Sequence, residues 1–217
     1  MKKWKSALII LSLVILLSVF FFFVPLDGIV KNIPILRNFY QNTTLEVTTP
    51  NGKATVVING KEYGETPANI TNLVTGKYKV ELSRTSQEEG FYKTHIFNIE
   101  LTKNSTSRIN VEIGPDDNLH GVLLYYTEDY TIDEGKGKIT LTSTAEGAKV
   151  YINDEYLKDT PITNIQLDKG EYNIKLVTKD YEDLEFPIVV REGNVLNIKG
   201  YQFPIPVTFE IEEDNGE

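Results

Sequence analysis

An internal duplication constrains the fold of this chain more than any other feature. Sliding the sequence by 94 residues places Ala54–Leu82 over Ala148–Leu176 without a gap. Ten of the 29 aligned positions are identical, where roughly two would match by chance, so the chain carries two copies of one folding unit. The identical pairs are Ala54/Ala148, Val56/Val150, Ile58/Ile152, Asn59/Asn153, Thr66/Thr160, Pro67/Pro161, Leu73/Leu167, Gly76/Gly170, Tyr78/Tyr172 and Leu82/Leu176.

Both copies show the residue pattern of antiparallel strands. Apolar residues alternate with polar ones in segments such as Glu171–Leu176, and this period of two predicts a strand with one face on a core and one in water. Asn-Gly or Asn-Asp follows the first strand of each repeat, which suits a two-residue hairpin turn, and the Thr-Pro pair then ends any central strand.

We predict about seven strands per copy and no helix in this part of the chain. They lie near Leu45–Thr48, Ala54–Asn59, Asn69–Leu73, Lys77–Ser83, Thr94–Leu101, Arg108–Ile113 and Val122–Thr127 in the first copy, and near Lys138–Thr142, Lys149–Asn153, Thr163–Leu167, Glu171–Thr178, Leu184–Val190, Val195–Lys199 and Val207–Ile211 in the second. Short strands separated by frequent turns indicate an all-β fold of two small antiparallel β-sandwich-like modules in tandem.

The duplicated segments resemble the PEGA domain family. Ala145–Ala148 reads Ala-Glu-Gly-Ala, three letters of the family motif, and Pro50–Ala54 is a looser version. The matching positions are Gly52, Ala54, Asn59, Gly60, Gly64, Thr66, Pro67, Gly76 and Tyr78 in the first copy, and Glu146, Gly147, Ala148, Asn153, Thr160, Pro161, Gly170 and Tyr172 in the second. The second copy has Asp154 and Lys158 where the pattern has glycine, and we expect a different turn geometry there.

The resemblance implies a small β-sandwich module that is common in exported or surface-layer-associated prokaryotic proteins and generally lacks catalytic residues. It covers roughly residues 44–114 and 138–200.

The N-terminus predicts a membrane anchor. Residues 7–24 form an apolar run interrupted only by Ser12 and Ser18, and as a helix they would span roughly 27 Å, close to the hydrocarbon thickness. Three lysines within the first five residues predict a cytoplasmic N-terminus and an extracytoplasmic C-terminus. A cleaved signal peptide is the alternative, but the run is long and no small-residue cleavage site follows it.

The predicted domain order follows from these segments. Residues 1–26 form the basic head and transmembrane helix, 27–43 a stalk, 44–127 the first module, 128–137 an acidic connector, 138–211 the second module and 212–217 an acidic tail. Because the connector is short, we expect the modules to lie end to end with a restricted hinge.

Charge and composition exclude several functions. The chain carries 22 basic and 31 acidic residues, a net charge of −9, and nucleic-acid binding needs the opposite balance. The acidic body should also stand off anionic lipid headgroups, so that the membrane is contacted through residues 7–24. The lack of cysteine excludes disulfides, thiolate metal centres and a cysteine nucleophile.

No residue pattern predicts catalysis, a metal site or a cofactor, and we expect a non-enzymatic protein. The two histidines, His95 and His120, have no nucleophile motif nearby, and the paired carboxylates are typical of a solvated acidic surface. Outward tyrosines such as Tyr151 and Tyr156 are candidate ligand contacts, through stacking on sugars or a protein interface, although strand preference alone also explains them.

Three functions remain open. The first is a membrane-anchored extracytoplasmic scaffold or interaction element that contacts an envelope protein. The second is a cell-wall or carbohydrate-binding module. The third, least supported, is a glycan hydrolase with an acidic dyad.

Overall fold

The structure, a computed structural model, describes residues 41–86 and 90–206 together with Ser12 and Val14. Its strands are β1 (Gln41–Thr48), β2 (Thr55–Ile58), β3 (Lys61–Glu65), β4 (Ala68–Val74), β5 (Gly76–Ser83), β6 (His95–Leu101), β7 (Thr106–Ile113), β8 (Leu119–Glu128), β9 (Lys136–Ser143), β10 (Lys149–Ile152), β11 (Glu155–Asp159), β12 (Ile162–Asp168), β13 (Gly170–Val177), β14 (Leu184–Val190) and β15 (Asn194–Tyr201).

These strands form three sheets and confirm the predicted all-β class. The first copy contributes a four-stranded sheet in the order β3-β2-β5-β6, and the second an equivalent sheet in the order β11-β10-β13-β14. The third sheet has seven strands in the order β12-β9-β15-β8-β7-β1-β4 and takes strands from both copies. Each module is therefore a small sheet packed on one half of a large one.

The seven-stranded sheet is symmetric about β8. On each side the neighbour of β8 is antiparallel to it, the next pair is parallel and the outermost pair is antiparallel. Equivalent strands from the two copies thus occupy mirrored positions but point the same way. That relation is a rotation about an axis along β8, which places the two small sheets on opposite faces of the large one.

The side chains of β8 show the same arrangement. Leu119 and Leu123 belong to the hydrophobic core of the first module, whereas Val122, Leu124 and Tyr126 belong to that of the second. A strand buried on both faces loses the apolar-polar alternation, which explains the run Val-Leu-Leu-Tyr-Tyr at residues 122–126. One strand therefore serves two cores.

This sharing corrects the expected end-to-end arrangement with a hinge. The modules lie side by side in one continuous sheet, because β8 pairs with β7 of the first copy and β15 of the second. The connector is also held to β9, because Lys138 Nζ of β9 donates a hydrogen bond to the Asp129 carboxylate at 2.7 Å. This hydrogen bond is the largest of several effects that lower the pKa of Asp129 to about 2.

Two strands of the structure, β3 and β11, are not predicted from the sequence. They are the short return arms of the hairpins. Because their residues are almost all exposed, they lack the alternation of apolar and polar residues that predicts a strand. The predicted strand at Val207–Ile211 lies outside the described residues, as do the stalk up to residue 40, the acidic tail and most of the predicted anchor. Within the described part, no helix is long and apolar enough to cross a membrane.

Candidate functional site

The Thr-Pro motif closes the start of each repeat in the same way. The Thr66 side chain accepts a hydrogen bond from the Ala54 backbone amide, and Thr160 accepts one from Ala148, at 3.0 and 3.1 Å. The following peptide bonds to Pro67 and Pro161 are both cis. These residues therefore hold the chain where one sheet passes to the next.

The hairpin asparagines make a second shared contact. The side-chain oxygen of Asn59 accepts a hydrogen bond from the Lys79 backbone amide, and that of Asn153 accepts one from Asn173, each at 2.9 Å. Both asparagines have a φ of 49°, as a type I′ hairpin turn requires. Each asparagine thus fixes its hairpin to the neighbouring strand.

The two lost glycines of the second copy have different outcomes. Asp154 has a φ of 67°, close to the 80° of Gly60, so the expected change of turn geometry at this position is wrong. Gly64, in contrast, has a φ of 95°, and its counterpart Lys158 has no positive φ, so the strand after the hairpin does differ locally.

The remaining motif positions are also structural. The hydroxyls of Tyr78 and Tyr172 donate hydrogen bonds to the carbonyls of Val74 and Asp168, and both rings are half-buried against the cores. Gly52, Gly76 and Gly147 have positive φ values, Glu146 is exposed, and Gly170 begins β13. The motif residues build turns and do not converge on a binding site.

The two tyrosines predicted as ligand contacts do come together. Tyr151 of β10 and Tyr156 of β11 are cross-strand partners, with ring centroids 5.7 Å apart at an interplanar angle of 65°. Tyr156 is 56% exposed and donates a hydrogen bond to Asp159, which is the main cause of the raised pKa of its phenol. The counterparts in the first copy are Val57 and Glu62, so this pair is a feature of the second copy.

A cleft of about 530 Å³ opens between the two modules. One wall is Thr94 and the start of β6, from His95 to Phe97, and the opposite wall includes the end of β15, with Lys199 and Tyr201. The Tyr201 ring packs edge-on against Phe97, and burial raises the pKa of its phenol to about 12. The polar groups that line the cleft include the neutral phenol of Tyr201, the Lys199 ammonium and the Asp117 carboxylate.

His95 lies in the wall of this cleft and is 6% exposed. Its Nδ1 atom is 3.6 Å from the Asp117 carboxylate, and its Nε2 atom is buried without a hydrogen-bond partner. Burial lowers the pKa of His95, although Asp117 acts in the opposite direction. The first module therefore buries an imidazole with one unpaired nitrogen, and burial favours its neutral form. His120, by comparison, accepts a long hydrogen bond of 3.4 Å from the Phe203 amide.

Two further clefts lie beside β6, separate from the first. One is lined by Asn98–Glu100 of β6, Tyr125 of β8, and Asn59 and Lys77–Lys79. The other is lined by Thr75, Gly76, Glu100–Lys103, Thr127, Glu128 and Tyr130. Sequence patterns do not predict these clefts, because their walls come from segments that are distant in the chain. Among the described residues, no group of three or more His, Asp or Glu side chains could hold a metal ion.

Comparison with known proteins gives a family and one distant structural similarity. A family model described as "PEGA domain" matches residues 42–117 and 136–202. No curated protein matches the chain significantly. Among solved structures, the chain is similar to the Bacillus anthracis TIE protein, with 14% sequence identity and a TM-score of 0.27. That similarity covers 76% of this chain and 34% of the other, so this chain spans about a third of its length.

Proposed function

Because the chain belongs to the PEGA domain family through two tandem copies, we propose that it acts outside the cytoplasm as a membrane-anchored, non-catalytic scaffold or protein-interaction element. The observation that carries this proposal is the shared sheet. β8 joins both modules into one body that turns its small sheets, and their hairpins, toward opposite sides. Such a body suits the display of two contact surfaces at a fixed separation.

The chemistry of the motif residues also favours a scaffold over an enzyme. The threonine and asparagine side chains of the motif accept hydrogen bonds from backbone amides of the fold. These contacts stabilise the structure and leave those oxygen atoms engaged within it. The apolar run at residues 7–24 and the preceding lysines support the anchor and its orientation. Exposed hairpins and sheet edges are the surfaces to which another chain can bind.

Membrane topology is tested with single cysteines, because the natural chain has none. Tyr130 is 92% exposed, so a Tyr130→Cys variant should react with a membrane-impermeant maleimide on intact cells. A Lys3→Cys variant is the control and should react only after permeabilisation. Labelling of Tyr130→Cys only after permeabilisation would overturn the extracytoplasmic placement.

Partner binding is tested by placing a photo-crosslinking residue in each hairpin, at Tyr63 and at Tyr156, which are 37% and 56% exposed. We expect each position to give a discrete covalent adduct with an envelope protein, identified by mass spectrometry. The crosslinker at Tyr130, outside the hairpins, is the matched control. Adducts that are the same from all three positions would argue against binding at the hairpins.

Carbohydrate binding is the second candidate, and the Tyr151–Tyr156 pair favours it because exposed aromatic rings stack on sugars. If the pair binds cell-wall glycan, replacing both tyrosines with alanine should weaken binding at least tenfold in a sedimentation assay. Tyr63→Ala, which removes an exposed tyrosine from the first copy, should leave binding unchanged. Equal binding by all variants would remove this candidate.

A further inference from the structure

Two side chains of opposite charge line the cleft between the modules, and neither has a charged partner at neutral pH among the described residues. Lys199 forms no salt bridge in that part of the chain, and its Nζ atom lies 5.2 Å from the centroid of the Tyr201 ring. The Asp117 carboxylate is 75% exposed, and its Oδ1 atom lies 3.6 Å from His95 Nδ1. That distance is too long for a hydrogen bond, and burial lowers the pKa of His95 and so favours the neutral ring. Both charges are therefore available to a ligand.

Ile96 gives the same cleft an apolar contact surface. Its side chain is 53% exposed, and an apolar group that covers it would remove that surface from water. The rings of Phe97 and Tyr201 also line the cleft, and they pack edge-on with their centroids 5.9 Å apart. One wall thus combines an exposed aliphatic side chain with two aromatic rings that hold each other in place.

The second copy shows that the fold does not require these residues. By strand register, the counterpart of Ile96 is Glu185 and the counterpart of Lys199 is Asn110. The equivalent place at β14 and β7 therefore has neither the exposed aliphatic group nor the cation. The combination of groups in the cleft is a property of this one place in the molecule.

The size and the charges of the cleft restrict the class of ligand. Its volume of about 530 Å³ lies within the range of small-molecule sites and is far too small for a folded partner. A simple anion would pair with Lys199 but would be repelled by Asp117, and a simple cation would meet the reverse arrangement. A molecule that carries both charges satisfies both side chains.

We propose that this cleft binds a small zwitterion of dipeptide size, with its carboxylate on Lys199, its ammonium on Asp117 and an apolar side chain against Ile96. The ligand would lie between the two modules and contact both of them. The site does not include the hairpins, and the inference does not depend on the proposed function.

Isothermal titration calorimetry on the full chain tests the requirement for both charges. The probe is the dipeptide alanyl-phenylalanine, compared with its N-acetylated form, which lacks the ammonium, and its C-amidated form, which lacks the carboxylate. We expect the free dipeptide to bind in the millimolar range or tighter, and each blocked form to bind about tenfold more weakly. Equal affinity of the three forms, or no binding of the free dipeptide, would overturn the proposal.

Substitutions locate the two contacts. Lys199→Met and Asp117→Asn should each weaken binding of the free dipeptide about tenfold. Lys61→Met and Asp133→Asn are the matched controls and should not change it, since Lys61 is also an exposed lysine above a tyrosine ring. The amidated dipeptide should bind Lys199→Met no more weakly than the wild type, because the group that Lys199 would hold is already absent. Equal losses in the control variants would overturn the assignment.

The pKa of His95 provides a readout that is independent of affinity. Burial lowers this pKa most, the Asp117 carboxylate raises it and the Lys93 charge lowers it. An ammonium on Asp117 would offset the carboxylate charge, so saturation with the free dipeptide should lower the pKa of His95 further, as measured by NMR titration of the histidine-labelled full chain. His120, the other histidine, is the internal control and should titrate unchanged. A pKa of His95 that does not fall on saturation would overturn the placement of the ammonium on Asp117.

Discussion

The two modules share a backbone plan but differ in what they bury. In the first, the Nε2 atom of His95 and the hydroxyl of Ser107 are buried without hydrogen-bond partners. By strand register, their counterparts in the second module are Leu184 and Leu196, which are both buried in its core. Unsatisfied buried polar atoms destabilise a fold, so we expect these two positions to cost stability in the first module and their leucine counterparts to add stability in the second.

The largest expected effect comes from giving the second module the residue of the first. Leu196→Ser removes a side chain that is 1% exposed and buries a hydroxyl, and it should lower the free energy of unfolding by about 3 kcal/mol. Chemical denaturation measures this change. The matched variant in the first module, Ser107→Ala, removes the unpaired hydroxyl and should leave stability unchanged or raise it. A loss as large as that of Leu196→Ser would contradict the comparison.

His95→Leu gives the first module the residue of the second and should raise the free energy of unfolding at pH 7 by about 1 kcal/mol, because the orphaned nitrogen is removed.

The same variant should change the pH dependence. The folded-state pKa of His95 is lowered, so the unfolded chain binds a proton at higher pH than the folded chain does. Wild-type stability should therefore fall as the pH drops below about 6.5, by at most about 1.4 kcal/mol per pH unit for this group. His95→Leu should flatten this fall between pH 7.5 and 5.5, whereas the control His120→Asn should retain it.

The adjacent tyrosines of β8 offer a sharper comparison, since each faces one module. Tyr126→Phe removes the hydrogen bond to the Val189 carbonyl and should lower the free energy of unfolding by about 1 kcal/mol. Tyr125→Phe removes a hydroxyl with no partner among the described residues and should have little effect. Equal losses in the two variants, measured by denaturation, would show that the hydrogen bond is not what distinguishes them.

The smallest effect is expected at the hairpin tips. Asp154 adopts a left-handed backbone that glycine tolerates better, so Asp154→Gly should stabilise the second hairpin by about 0.5 kcal/mol. Gly60→Asp is the reciprocal change and should destabilise the first hairpin by a similar amount. Local hydrogen exchange detects both, and changes of the same sign would contradict the shared turn geometry.

Much of this architecture is predictable from the sequence because alternation reports half-buried strands. Alternation does not report strands that are exposed on both faces or buried on both faces. β3 and β11 are exposed on both faces, and alternation does not predict them. β8 is predicted as a strand, but alternation does not reveal that it is buried on both sides.

The candidate sites also divide into features that the sequence predicts and features that it does not. Tyr151 and Tyr156 were predicted as exposed aromatics, and their pairing follows from the hairpin that joins them. The cleft between the modules is not predictable, because Thr94 and Tyr201 are distant in the chain and line one cleft only in the folded structure. The repeat motif is evident in the sequence, but in the structure its residues build the turns and do not form a binding site.

The double use of β8 also determines how the chain can be divided. A fragment that ends before Leu119 would expose the flank of β7, and one that starts after Glu128 would strip Val122, Leu124 and Tyr126 from the other core. The repeat borders in the sequence are thus not borders of autonomous parts. We therefore expect the two copies to unfold in one transition, because neither core is complete without β8.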